Sequence, residues 1–304
     1  MYEVSDRRNM AEKPVRGIAP VERLLERLLR EWKPDAVVCT YMVYPYMLDS
    51  LASRTGRAVP YLTVVTDSFV INKSWLCSKS PLWAVTDPWT RAIMEEKGLP
   101  QDRLRVTGFP VNPVLGALAE EHPLSWKEGE PFRVLYFAQR SARHARAELA
   151  GMLDANPALH VTCILGRRFR RIYPRIRDLR ARYGRRLTVR GWTRRVPSYL
   201  AASHVVVGKA GGATVHEVLA AARPMLVNFL LPGQEEGNTR LLEKLGGGSH
   251  VPDARALASA LQEMMADGGA QWRRMHENLL RAGMTGGSGR IADLALKLAE
   301  EHTN

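Results

Sequence analysis

Cysteine is scarce in this chain of 304 residues, which has only Cys39, Cys77 and Cys163. An odd count without a C-x-x-C pair argues against a disulfide framework or a structural zinc cluster, and fits a reducing cytosol. Long apolar runs are lacking too. Runs such as Ala36–Cys39 and Phe229–Leu231 are far short of the ~20 residues that cross a bilayer. Met1–Arg30 is charged throughout and has no apolar signal-peptide core. The expectation is a cytoplasmic protein, soluble or peripheral at the inner face of a membrane. No D-x-D triplet occurs, and the eight histidines lie apart without metal-ligand spacing. No metal and no cofactor are therefore expected.

What is present is an ordinary globular composition, 45% hydrophobic and 25% charged, which excludes wholesale disorder. At roughly 100–200 residues per domain, the length predicts two domains. The net charge of +13 is unevenly placed. Between Gly166 and Arg195 stand 13 arginines and one acid, Asp178. Phe169, Tyr173 and Tyr183 are interleaved. Such a face suits an anionic partner. An anionic membrane surface, RNA phosphates and a solvated face without a partner all fit that composition.

Apolar spacing predicts a first helix over Pro20–Trp32. Strands follow at Ala36–Thr40, Tyr61–Thr66, Leu82–Thr86 and Leu104–Thr107, with helices at Pro45–Thr55 and Pro88–Lys97 between them. Gly108–Pro131 is rich in proline and glycine and reads as a linker. Alternation then resumes. Strands are expected at Arg133–Phe137, His160–Leu165, Leu187–Arg190, His204–Val207 and Pro224–Phe229. The intervening helices are Ala142–Leu153, Tyr173–Tyr183, Thr214–Ala222 and Glu236–Leu245. Ala254–Ala266 and two more helices close the chain. Alternation of this kind specifies α/β halves with parallel sheets covered on both faces. The expected domains are 1–113, with a linker at 114–131, and 132–304.

The stretch Val205–Glu217, VVVGKAGGATVHE, carries the most chemical information. An apolar strand runs into a Gly211-Gly212 turn, and a helix starts beside it. A glycine-lined helix N-terminus presents free N–H groups and a positive dipole end to a phosphate. The spacing fits neither a Walker A loop nor G-x-G-x-x-G, and a tight turn without a ligand explains the glycines equally well. Glu217, one turn into the helix, is placed to accept ribose hydroxyls; an acid near a helix start is also favoured by the dipole alone. His216 beside it could serve the same site, though the exposed helix face is the expected place for it. A second loop, Leu231–Asn238 (LPGQEEGN), is dense in amides and carboxylates. It suits sugar hydroxyls, or simply caps the next helix. Asp67 ends a predicted strand at the sheet edge where ligands bind in such folds. It is the acid–base candidate, with a loop cap as the plainer reading.

Taken together, VVVGKAGGATVHEVLAAARPMLV and PGQEEGNTRLLEKLGGG closely resemble the C-terminal half of the glycosyltransferases that include monogalactosyl- and glucosyl-diacylglycerol synthases and the lipid II-forming enzyme of peptidoglycan synthesis. Upstream, PDAVVCT, TVVTD and RLRVTGFPVNP are similar to the diacylglycerol-synthase branch. The resemblance runs from about Leu24 to about Leu280. It implies a GT-B fold of two Rossmann-like domains facing a cleft, and transfer of a hexose from a UDP-sugar to a membrane lipid, with inversion and without a metal. On that resemblance Gly211, Gly212, Ala213 and Thr214 lie on the diphosphate and Glu217 holds the ribose. Gln234 and Glu235 read the sugar with Asn238 in support, and the Trp192 backbone borders the uracil. Diacylglycerol is the expected acceptor, and no nucleic acid is expected. The glycolipid resemblance favours a membrane partner for Arg167, Arg168, Arg170, Arg171, Arg175 and Arg177.

Three departures stand out. The family's opening glycine- and histidine-containing loop, which supplies its candidate base, has no counterpart before Pro20. The first domain is therefore expected to lack its opening βα units. A non-catalytic or split-subunit UDP-sugar-binding protein is accordingly the alternative. The glycine-rich turn usual after the first strand of the second domain is replaced by Phe137–Arg143, where phosphate contact would pass to Arg140 or Ser141. Cys77 stands where a histidine is common.

Overall fold

The computed structural model describes residues 19–121 and 124–303. Residues 1–18 of the expected first domain and Pro123 of the expected linker lie outside them. The chain divides into two compact units. One comprises residues up to Pro110 together with Gly286 onward, and the other comprises Val111–Thr285.

The first unit is a four-stranded parallel sheet in the order β1 (Val37–Cys39), β2 (Tyr61–Val64), β3 (Leu82–Val85) and β4 (Leu104–Val106). Its crossover helices are α2 (Val43–Thr55) and α3 (Pro88–Glu96), preceded by α1 (Ala19–Trp32). Asp87 caps α3 by accepting the Thr90 N–H at 2.8 Å, with Pro88 in the first turn, where its missing N–H leaves nothing unsatisfied. Glu26 of α1 binds Arg30 at 2.8 Å and Arg54 of α2 at 2.7 Å, which fastens the helices where the sequence pattern places one solvent face against another.

The C-terminal helix, expected in the second domain, packs on this first sheet. Its Ile291 lies buried with Leu62, Val64 and Ala84, flanked by Leu294, Ala295 and Leu298. Arg290 Nε donates to the Thr107 carbonyl at 2.6 Å. Gly287 makes the approach possible, because a Cβ there would lie 2.1 Å from the Phe109 carbonyl oxygen.

The second unit begins with α4 (Val114–Glu121), inside the stretch expected to be linker. Asn112 Oδ1 accepts the Val114 N–H at 3.1 Å and starts this helix, which packs on α8 (Val196–Ala201). The strands that follow are β5 (Phe132–Phe137), β6 (Leu159–Ile164), β7 (Leu187–Arg190), β8 (Val205–Lys209), β9 (Met225–Phe229) and β10 (Gly248–His250). They form one parallel sheet in the order β10-β9-β8-β5-β6-β7. Between them run α5 (Ala142–Ala155), α9 (Gly212–Ala220) and α10 (Gln234–Lys244), and after them α11 (Ala254–Met265) and α12 (Ala270–Ala282). The helix expected over Tyr173–Tyr183 is broken. Phe169–Ile172 is α6, Tyr173–Arg175 is a 3-10 turn and Arg177–Tyr183 is α7, because Pro174 has no N–H to continue the ladder. The sheet core is apolar on both faces, with Val134 and Val205 on one side and Leu135 and Val206 on the other all at or below 1% exposure, as parallel strands under two helix layers require.

Candidate functional site

The order of the six strands reverses between β5 and β8. In open α/β sheets the crevice outside the carboxyl ends of strands at such a point is where ligands bind. Here a cavity of about 430 Å³ opens there, lined by Phe137, Gln139, Arg168, Lys209, Phe229 and Leu231 among others. Its walls are thus the ends of β5, β8 and β9 and the turn after β6.

The β8–α9 turn meets this crevice through Lys209, and Gly211 and Gly212 follow two and three residues on. Gly211 is the N-cap of α9 and brings no side chain to satisfy the first-turn N–H groups. Glu217 stands one turn further on, half-buried, and burial raises its carboxyl above the usual carboxylate range. His216 corrects an expectation. It is 1% exposed on a helix that also buries Val215, Val218, Leu219 and Ala220, and burial pushes it down to about 3. It is a neutral core histidine.

The loop after β9 is tied to this turn. Lys209 Nζ forms an ion pair with Glu235 Oε1. Glu235 Oε2 accepts the Leu231 N–H at 2.7 Å, so both carboxylate oxygens are held. Asn238 Nδ2 donates to the Ala210 carbonyl at 2.9 Å, while its buried Oδ1 accepts no hydrogen bond. Gly233, at φ 96° and ψ −118°, turns the chain into α10 through a conformation open in practice only to glycine. Gln234 follows as the first residue of α10, half-buried. The sequence-predicted Gly211, Gly212, Ala213, Thr214, Glu217, Gln234, Glu235 and Asn238 therefore belong to two adjacent βα turns.

Trp192 lies beyond the end of β7, 60% exposed, with the Arg194 guanidinium 5.6 Å from its ring centre. Ser141 caps α5, 2.8 Å from His144 Nδ1, while Arg140 lies over the Phe229 ring at 5.6 Å. Sequence reasoning did not single out Lys209 as a site residue, although its place between strand and glycine pair was visible. It also missed Glu148, Tyr136 and Asn228 beneath the crevice, which sit among core positions and carry no local signal.

Asp67 lies in the other unit, after β2. It is 3% exposed, and its Oδ2 accepts the Trp75 indole N–H at 2.9 Å. Ser68, Thr86, Asp87 and Thr90 surround it in a buried hydrogen-bonded set. Phe69 follows at φ 58°, stacked on Trp89. Asp67 is thus buried and hydrogen-bonded within this loop.

The arginine-rich stretch is exposed, but two of its members serve the crevice. Arg167 and Arg168 line the cavity, and Arg168 donates to the Gln139 carbonyl and, at 3.4 Å, to that of Arg140. Arg170, Arg171, Arg175 and Arg177 face solvent without an acidic partner among the described residues. Asp178 is taken by Arg146 at 2.6 Å, a contact that holds its carboxyl down to about 2.

Two parallel-sheet units, one with its crevice at a strand-order reversal, define the GT-B-like class of α/β protein. Solved structures agree on the fold. The UDP-GlcNAc 2-epimerase from Neisseria meningitidis superposes with a TM-score of 0.68 at 14% identity, covering 94% of this chain and 83% of that one. MurG from Acinetobacter baumannii gives 0.64 at 15%, covering 89% and 76%.

Family models match each half of the sequence. Residues 2–111 match monogalactosyldiacylglycerol (MGDG) synthase, and residues 151–287 match the glycosyltransferase family 28 C-terminal domain. The chain is thus similar, over most of its length, to the glycosyltransferases built from these two domains. Among relatives, the processive diacylglycerol beta-glucosyltransferase of Staphylococcus carnosus is 25% identical over 81% of this chain and 63% of its own length. The Bacillus subtilis protein of the same name is 23% identical over 92% and 73%. The chain thus spans roughly two thirds of the length of these relatives.

Proposed function

We propose that the protein transfers a hexose from a UDP-sugar to the hydroxyl of a membrane lipid, diacylglycerol in the first instance. The observation that supports this most is the Gly211-Gly212 turn at the strand-order reversal, flanked by Lys209, Arg168 and Glu217. In this reading the diphosphate rests on the N-terminus of α9, and Glu217 accepts the ribose hydroxyls. Gln234 and Glu235 meet the sugar, with Asn238 fixing their loop, and Trp192 borders the uracil. A base removes the acceptor proton as the hydroxyl attacks the anomeric carbon from the face opposite UDP, which inverts the configuration. The departing diphosphate is stabilised by the α9 dipole, backbone N–H groups and Lys209 rather than by a metal. Asp67 is the candidate for that base, oriented in its loop by the Trp75 indole N–H. Arg170, Arg171, Arg175 and Arg177 are assigned to an anionic membrane surface, at ~1 kcal/mol for each basic residue near it.

The test is sugar transfer from radiolabelled UDP-glucose and UDP-galactose to diacylglycerol in vesicles, with and without a chelator. Lipid-linked label of inverted anomeric configuration, unaffected by chelation, is the expected result. Chelator-sensitive transfer would remove the metal-independent part of the reading.

A further inference from the structure

The turn between β5 and α5 sits at the strand-order reversal, yet Ala138-Gln139-Arg140-Ser141 contains no glycine. A phosphate cannot approach that backbone as it approaches a glycine turn, so any charge offered there must come from a side chain. Ser141 is committed to capping α5. Arg140 is not. Its guanidinium lies over Phe229, a wall of the cavity, and donates no hydrogen bond among the described residues. Its one ionic neighbour is Glu148 Oε1, 3.5 Å from Nη1.

Glu148 is the unusual group. It is 2% exposed in the core of the second unit. Its Oε2 accepts the Tyr136 phenol at 2.6 Å and the Asn228 amide at 2.7 Å. Its Oε1 is buried without a hydrogen bond and faces Arg140. Three elements thus converge on one carboxylate: β5 through Tyr136, α5 through Glu148 itself and β9 through Asn228. Packing does not require an acid there, since an apolar side chain of similar volume commonly serves as well or better. What the acid does is hold a guanidinium at the crevice. Arg168 fixes the same turn from the opposite side through the Gln139 and Arg140 carbonyls.

We infer that Arg140, positioned by Glu148, binds the diphosphate of the donor and replaces the glycine turn with a planar, bidentate cation. The inference rests on the UDP-sugar reading above. With Arg167, Arg168 and Lys209 it gives the crevice four cations against Glu148 and Glu235, a net positive field suited to a diphosphate.

The experiment compares UDP, by calorimetry, with uridine, by saturation-transfer NMR, on the wild-type chain and on Arg140→Gln and Arg140→Lys, with thermal melting as the check on folding. Arg140→Gln should weaken UDP roughly 10–100-fold, the scale of a lost charge-assisted bond, and leave uridine unchanged. Arg140→Lys should fall between, because the charge remains and the fork is lost. Glu148→Gln should weaken UDP and spare uridine if it acts through Arg140. Equal loss of UDP and uridine in that variant would mark it as merely structural and overturn its positioning role. Wild-type binding of UDP with no change in Arg140→Gln overturns the inference and leaves the donor reading standing. Wild-type binding of neither ligand overturns both.

Discussion

Lys209 and Glu235 stand in different βα turns, 26 residues apart in the chain, and meet as an ion pair at the mouth of the second unit's crevice. The pair joins the turn assigned to the diphosphate to the loop assigned to the sugar. In the proposed donor reading, a diphosphate on that turn would meet the same lysine that holds Glu235, which would couple the two groups. Lys209→Met should therefore weaken UDP-glucose by more than it weakens UDP, since it removes a phosphate contact and also releases Glu235. Calorimetry with the two ligands measures this. An equal change for both would show that the pair does not couple the turns.

Gln234→Ala should weaken UDP-hexose far more than UDP, because Gln234 opens α10 on the sugar side and leaves the β8–α9 turn untouched. Equal loss for both ligands would refute a sugar-reading role.

Glu217→Ala should reduce UDP affinity roughly 10–100-fold, from the loss of hydrogen bonds to a charged acceptor, while the melting temperature changes little. Burial already raises the Glu217 carboxyl, so UDP binding should weaken as pH falls through that raised value and the group takes up a proton. Glu217→Gln should flatten that pH dependence. Its persistence in the variant would assign it to another group.

Acid should destabilise the second unit through His216. Its folded-state value, pushed down to about 3 by burial, lies below the unfolded value of ~6.5. The unfolded chain therefore binds the proton first, and stability is full above ~6.5 and lost as pH falls towards 3. Between pH 7.5 and 5 the loss from this histidine alone is about 2 kcal/mol. His204, pushed down to about 4 by burial, acts in the same direction. Urea titrations at both pH values should show a smaller pH dependence in His216→Gln than in wild type, whatever its absolute stability. An unchanged difference would mean that His216 is protonated equally in both states.

Neutralising Arg170, Arg171, Arg175 and Arg177 should release the protein from anionic vesicles, and wild-type binding should fall with salt, as screening shortens the reach of the charges to about 10 Å at 0.1 M. Co-sedimentation that is unchanged in this variant would place the membrane contact elsewhere.

Much of this organisation was legible in the sequence. The β-branched run Val205–Val207 against a glycine pair announces a strand–turn–helix unit, and the strand lies where the pattern puts it. Capping residues such as Asp87 and Ser141 mark helix starts equally well. What escaped was set by tertiary contact. The C-terminal helix reads as an ordinary amphipathic segment, and only Gly287 against Phe109 and Ile291 against Leu62 assign it to the first sheet. The strand Gly248–His250 has no β-branched residue and forms because Met225 and Leu226 offer it an open ladder edge. The helix Val114–Glu121 is short and holds Gly116, which obscures its pattern. In the candidate site, the motif residues were visible because they are contiguous. Glu148 was not, since a glutamate inside an amphipathic helix pattern looks solvated until Tyr136 and Asn228 are seen around it.

The central claim is that a UDP-sugar sits on the β8–α9 turn and the loop after β9. Hydrogen–deuterium exchange with and without UDP-glucose tests it most directly. The account predicts slowed exchange at the amides of residues 211–217 and 231–238, and far less in Glu217→Ala at the same ligand concentration. Protection confined to other segments, or undiminished in that variant, would contradict it.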